Sequence, residues 1–293
     1  MNELIIGVAI EDAHISAGPV DFDTRKVVRT AVQRKKINQS GTANEIILAW
    51  AKVLIDVANL SNAKISNIGI SLPGLCDYNN GIWLMDEKDR YNSLTNCNIK
   101  ELLSAQLDIS PAEIRMVNDA ASFLQGEVFG GSGRGFKRSL GVTLGLGLGT
   151  ARYANGITED LALAHSAFLD AEAEDYISIK WIISRYNALS GGLVKDMMEL
   201  KQLAAEDPRV GKVFDEFAEN LSQFLITFVR QNNPEIVVIG GFMESFNKFF
   251  FDNLADKMVK NGIKIPILRA ILGEQASIIG AASTWYESSP LHV

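Results

Sequence analysis

A chain of 293 residues, 47% hydrophobic and 22% charged, is long enough for two ordinary cores and is neither disordered nor fibrous in composition. Its net charge of −7 speaks against nucleic acid as the main partner, because neutralising phosphates takes a basic face. The two cysteines, Cys76 and Cys97, lack metal-ligand spacing, the start has no basic leader, and no apolar run approaches membrane-spanning length; the expectation is a cytoplasmic protein with reduced thiols.

In chain order, residues 4–10, 14–20 and 26–32 read as strands, with a turn at 21–24. Residues 42–60 read as a helix: Thr42 and Glu45 form a capping box, and Ile46, Ile47, Trp50, Val53, Leu54 and Val57 share one face. The nearly continuous apolar run at 65–71 predicts a strand covered on both faces, ended by Pro73-Gly74. A helix at 99–107 and a strand at 114–117 follow, and the helix at 120–129 begins after Asn118-Asp119. The pattern restarts with a strand at 140–144, returning at 151–154 around Gly145, Gly147 and Gly149, which Thr150 follows. Acidic, alanine-rich residues 160–175 lead into a helix carrying Ile177, Trp181 and Ile182. A long apolar-faced helix spans 210–232, a buried strand ends at Gly240-Gly241, and helices occupy 246–260 and 275–286. Topology predicts an α/β protein of two domains, 1–118 (completed by the closing segment 275–293) and 119–274. Ile6-Gly-Val-Ala9 and Leu140-Gly-Val-Thr143 both open hairpins, which suggests two related hairpins facing one cleft.

Two readings stay open for the glycine stretch taken alone. Three glycines at a strand end bring several N–H groups near an anion without a β-carbon in the way; they also make a plain hairpin turn. Asp119 likewise reads either as an N-cap of the helix after it or as a carboxylate presented at a strand end.

Five stretches in register resemble the ROK family of bacterial sugar kinases and repressors: Gly69-Ile-Ser-Leu-Pro-Gly74, Val117-Asn-Asp-Ala120, Thr143-Leu-Gly-Leu-Gly-Leu-Gly149, Ile236-Val-Val-Ile-Gly-Gly241 and Gln275-Ala-Ser-Ile-Ile-Gly-Ala-Ala282. The resemblance implies a two-domain actin-like ATPase (ribonuclease H-like) fold with an interdomain cleft, and a homodimer. It implies transfer of the ATP γ-phosphate to a hexose hydroxyl, with Mg2+ accompanying the nucleotide. Asp119 matches the catalytic base. Gly145, Gly147, Gly149 and Thr150 match the second phosphate turn, and Gly240 and Gly241 match the adenosine turn, which otherwise reads as a plain strand-to-helix turn. Asn92, Asn118, His165 and Glu174 match sugar contacts; alone, His165 is an ordinary packed or exposed histidine. No DNA-binding segment precedes the first strand, so the repressor branch is not expected.

The departures point the other way. The first phosphate turn of the family reads Asp-x-Gly-Gly-Thr, and here the positions are Ala9, Glu11, Asp12 and Ala13. A carboxylate about 5 Å from a phosphate charge, at an effective dielectric near 20, repels it by roughly 3 kcal/mol. The zinc-binding cysteines of many members are absent, so no zinc and no other protein-held metal is expected, and Ala162 and Ala164 replace two residues of the motif holding His165. The alternative is a catalytically impaired sugar-binding or regulatory protein of the same fold.

Overall fold

The computed structural model describes residues 3–11, 13–85, 91–241 and 246–286. They form two compact units, one of Met1–Arg134 with the stretch from Ile271 onward, the other of Gly135–Ala270.

The first unit is built on a six-stranded mixed sheet. Strands β1 (Glu3–Ile10), β2 (His14–Asp21), β3 (Lys26–Val27), β4 (Gln33–Lys36) and β5 (Lys64–Leu72) enter first. The short pair β6 (Cys76–Asp77) and β7 (Ile82–Trp83) stands apart, and β8 (Ile114–Asn118) completes the main sheet. β1, β5 and β8 run parallel, whereas β2 returns antiparallel beside β1. The third strand ends at Val27, earlier than the apolar run to Val32 predicts. A 3-10 turn, Arg29–Ala31, intervenes, and Val27 and Val32 converge over Gly18, where a side chain would stand 2.9 and 3.0 Å from them.

Helix α1 (Ala43–Ser61) keeps the Thr42–Glu45 capping box and buries the predicted face, Trp50 included, against the sheet with Ile6, Ile68 and Ile70. Helix α2 is Ile99–Leu107 and α3 is Asp119–Gly130. The closing helix, Gln275–Ser283, lies on the other side of the sheet. Glycines permit its approach: a β-carbon on Gly69 would stand 1.9 Å from Ala281 O, and one on Gly280 would stand 1.8 Å from Ser122 O of α3. Because α3 packs on this helix, it belongs to the first unit, and the chain leaves that unit after Arg134, not after residue 118 as topology predicts.

Glu127 of α3 is fully buried. Its Oε1 accepts from the N–H groups of Ile271 (3.1 Å) and Leu272 (2.9 Å), and Oε2 accepts from Ser132 N–H at 2.7 Å. One side chain thus ties together the places where the chain departs from this unit and returns to it.

The second unit has the sheet order β11-β10-β9-β14-β15, counting β9 (Arg138–Leu144), β10 (Leu148–Ala154), β11 (Ile157–Asp160), a two-stranded hairpin β12 (Ala167–Phe168) and β13 (Ala171–Glu172), β14 (Ile236–Gly241) and β15 (Ile267–Arg269). Its helices are α4 (Ala173–Tyr176), α5 (Ile179–Ser190), α6 (Met197–Leu203), α7 (Pro208–Asn232) and α8 (Asn247–Lys260). The apolar face of α7 carries Phe214, Phe217, Leu221 and Phe228 into the core, where Phe214 stacks on Phe246 with ring centres 5.5 Å apart. Among the described residues no helix is long and apolar enough to cross a membrane.

Candidate active site

In the first unit the register sets the candidate residues side by side. Ala9 lies opposite Ser71, and Leu72 opposite Asn118, so β1, β5 and β8 end at one edge. The carboxyl ends of parallel strands are where α/β sheets present ligand-binding groups, since the loops there are free to vary. Those ends lead into the turn at 11–13, Pro73-Gly74 and Asp119.

The cap and the strand-end carboxylate turn out to be neighbours, not one residue. Asn118 caps α3: its Oδ1 accepts from the N–H groups of Ala120 (2.8 Å) and Ala121 (3.2 Å). Its Nδ2 donates to the Tyr78 hydroxyl at 3.4 Å, and Tyr78 donates to Gly74 O at 2.6 Å. Asn118 is 8% exposed, with its oxygen committed to the helix. Asp119 is the first helical residue and is exposed, with Oδ1 accepting from Ala120 N–H at 2.8 Å. Asn92 is exposed at the start of the 3-10 turn Asn92–Leu94. The residue before it, Tyr91, is buried between Trp50 and Trp83 and donates to Glu11 O at 3.3 Å. Tyr91 thereby links the start of this turn to the end of β1.

The altered turn differs from the bare acidic patch the sequence suggests. Ala9 is 2% exposed and joins an apolar cluster with Phe129, Ile278, Ile279 and Ala282. Glu11 pairs with Arg34 at 3.4 Å, and Arg34 also bonds Glu274 at the start of the closing helix. Burial pushes the Glu11 carboxyl above its ordinary value; Arg34 and His14 oppose that rise and Glu274 adds to it. The 3 kcal/mol repulsion is therefore an upper figure for Glu11, because a cation stands beside it. Ala13 borders a groove of about 500 Å³ lined also by Lys36, Asn38 and Ser40. Asp12 lies outside the described residues.

In the second unit, β14 runs parallel to β9 with Gly240 opposite Thr143 and Gly241 opposite Leu144, so the glycine pair adjoins the β9–β10 turn. Gly241 has φ +96°, and a β-carbon there would stand 2.5 Å from Leu144 O. Within the turn, Gly145 N–H donates to Gly147 O at 3.0 Å. Gly149 pairs with Thr143 across the hairpin. Thr150 is 1% exposed, and its hydroxyl oxygen accepts from Leu163 N–H at 3.1 Å. That hydroxyl faces the protein interior, where it supports the 3-10 turn Leu163–His165, because β10 alternates its side chains and Thr150 falls on the covered face.

His165 is exposed, with Nδ1 2.7 Å from Glu172 Oε2. Glu174, two residues on, is half-buried; its Oε2 accepts from Leu148 N–H at 3.0 Å. It borders a groove of about 220 Å³ lined also by Asp175, Ser178, Lys180 and Trp181. The hydrogen bond to Glu172 raises the His165 pKa, with Glu174 and Asp175 adding to the effect. The imidazolium pair is fully present below the ordinary histidine value near 6.5 and is lost as pH rises through the raised one. Glu172→Gln is expected to bring the His165 titration, followed by imidazole proton NMR, back down; an unmoved midpoint would contradict the pairing.

Arg34, Tyr78 and Glu172 escaped the sequence reading. Arg34 reaches Glu11 only through the β2–β4 pairing, and Tyr78 reaches Asn118 only through the β5–β8 register; neither carries a local signal. Glu172 had one: a carboxylate seven residues beyond His165 across a short hairpin.

Comparison with known proteins bears on the family and the fold. Residues 9–159 match the model of the ROK family. N-acetylgalactosamine kinase AgaK of Shewanella sp. (strain ANA-3) is 23% identical over 289 residues, covering 89% of this chain and 90% of that protein. Glucokinase of Thermotoga maritima is 24% identical over 314 residues, covering 95% and 96%. The crystal structure of ROK hexokinase from Thermus thermophilus superposes with a TM-score of 0.81 at 19% identity, covering 97% of this chain and 98% of that one. The fold is the α/β fold of actin-like ATPases.

Proposed function

We propose, for a chain that belongs to the ROK family, phosphoryl transfer from ATP to a hexose hydroxyl, with Asp119 as the base and a first phosphate turn that slows the reaction. The observation carrying this reading is the division of labour at the end of β8: Asn118 caps α3, and the Asp119 carboxylate stays exposed at the strand edge. The names of the relatives supply the substrate class, glucose or an N-acetylated hexosamine.

In this reading Asp119 accepts the proton of the sugar hydroxyl as its oxygen bonds to the γ-phosphorus; the bond from phosphorus to the bridging oxygen breaks and ADP leaves. Asn118, Asn92, His165 and Glu174 orient the hydroxyls, and Gly145, Gly149, Gly240 and Gly241 receive the nucleotide. The turn after β1 does not fit a magnesium-loaded nucleotide: Ala9 offers a buried methyl group where a carboxylate is needed, and Glu11 is already paired with Arg34. Among the described residues no group of three or more His, Cys, Asp or Glu is placed to hold a metal ion. No step is therefore assigned to a metal held by the protein. We also assign the chain to a homodimer in the cytoplasm, by family resemblance.

The test is a coupled assay with MgATP over glucose, N-acetylgalactosamine and N-acetylmannosamine. Turnover is expected with at least one sugar, and Asp119→Asn is expected to lower kcat by about 10²–10⁴ with little change in sugar affinity. Background rates for folded wild-type protein, or equal rates for the variant, would overturn the kinase reading. A second reading is favoured by the burial of Ala9 and the Glu11–Arg34 pair: a sugar-binding protein that has lost its donor site. Calorimetry separates the two, since hexose binding without nucleotide binding belongs to the second alone.

A further inference from the structure

The glycine turn between β9 and β10 is read above as a place for phosphate, yet one of its glycines is taken up by a side chain of the protein. A β-carbon on Gly147 would stand 2.2 Å from Glu174 Oε2 and 3.1 Å from Glu174 Cδ. Gly147 is not among the glycines with positive φ, so its backbone does not call for glycine. Gly145 makes the contrast: the nearest atom to a β-carbon there is Gly147 O, at 3.9 Å. What a β-carbon at 147 would displace is the carboxylate of Glu174.

The same carboxylate oxygen accepts from the next N–H in the chain, that of Leu148, at 3.0 Å. Leu148 itself is buried, so this N–H has little access to water in exchange. The turn is anchored from behind as well, because Ile179 N–H donates to Gly145 O at 2.9 Å at the start of α5. The short helix α4 thus lies between two fixed points, with Glu172 on His165 and Glu174 on the turn.

We infer that Gly147 is a positioning residue for the sugar and not a phosphate contact: its missing side chain and the Leu148 N–H form the seat that holds Glu174 toward the hexose. The inference rests on Glu174 being a sugar contact, as proposed above, while the seat can be tested without any sugar.

Two arms separate these. In the first, amide hydrogen exchange is followed at Leu148 in ligand-free protein. Exchange is expected to speed up in both Gly147→Ala and Glu174→Ala, with no further gain in the double variant and with melting temperatures close to wild type, because the clash falls on the mobile end of a side chain. Unchanged protection in the single variants would overturn the seat. In the second arm, calorimetry with glucose, N-acetylgalactosamine and AMPPNP reads the consequence. Gly147→Ala is expected to weaken binding of the preferred hexose about tenfold, the scale of one charge-assisted hydrogen bond, while AMPPNP affinity stays within twofold. Adding it to Glu174→Ala is expected to cost nothing more. Loss of nucleotide affinity with sugar affinity intact would restore the phosphate role and overturn the inference. If Glu174→Ala leaves hexose affinity unchanged, or neither hexose binds, the sugar role falls, and the exchange arm still decides whether the seat exists.

Discussion

Replacing the turn after β1 by Gly-Gly-Thr (E11G/D12G/A13T) is expected to raise kcat/KM for MgATP by about 10²-fold over wild type. Two contributions lead there. Removing a carboxylate about 5 Å from a phosphate lifts up to roughly 3 kcal/mol of repulsion, which is about two powers of ten in rate. The glycines also open backbone N–H groups to the phosphates, and a single donor of that kind is typically worth about 10²–10³. Arg34 trims the first contribution, because it already offsets the Glu11 charge at 3.4 Å. Released from Glu11, Arg34 keeps its bond to Glu274 and only the other end of its guanidinium is left for a phosphate. Adding Ala9→Asp is expected to behave differently. Position 9 is 2% exposed among Phe129, Ile278 and Ile279, so a carboxylate placed there is buried in apolar surroundings and lowers the melting temperature. Steady-state kinetics on the triple variant, with its melting curve alongside, checks the claim. An unchanged kcat/KM in folded protein would mean that the turn does not limit the reaction.

Glu127→Ala is expected to destabilise the protein by at least about 3 kcal/mol and to lower its melting temperature by roughly 6–12 °C. The substitution orphans three N–H groups, those of Ser132, Ile271 and Leu272, and leaves a void where a fully buried side chain stood. Each unsatisfied donor costs about 1–3 kcal/mol. Glu127→Gln keeps the shape but turns an N–H donor toward one of those N–H groups, so a smaller loss is expected. Differential scanning calorimetry on both variants reads the order. A fall below about 2 °C for Glu127→Ala would mean that the two chain crossings hold without this carboxyl group.

Local physical chemistry made much of the frame legible. The Thr42–Glu45 box starts α1 where the sequence places it, because a cap is satisfied by residues three apart. The buried face of α7 follows from the 3.6-residue period, and the strand at β5 from a nearly continuous apolar run. The end of β3 was misjudged for the same reason in reverse. Period and composition are blind to Gly18, across which Val27 and Val32 meet. The boundary placed at residue 118 fails likewise, because α3 is assigned by its contact with the closing helix, made close by Gly126 of α3 and Gly280 of that helix, and no local pattern carries that.

The chain by itself determined which residue types stand at each strand end: a carboxylate after β8, glycines after β9 and β14, and acids and alanines where the family has glycines and threonine. Side-chain identity and spacing are properties of the sequence. Only the tertiary structure decided what those groups touch. It gave the cap to Asn118 and left Asp119 exposed, set Arg34 against Glu11, turned the Thr150 hydroxyl inward and laid Glu174 over Gly147. The Asn118 cap is a local bond to N–H groups two and three residues on; the other three depend on the register between strands, or on a contact across many residues, and so on packing that no local stretch of the chain encodes.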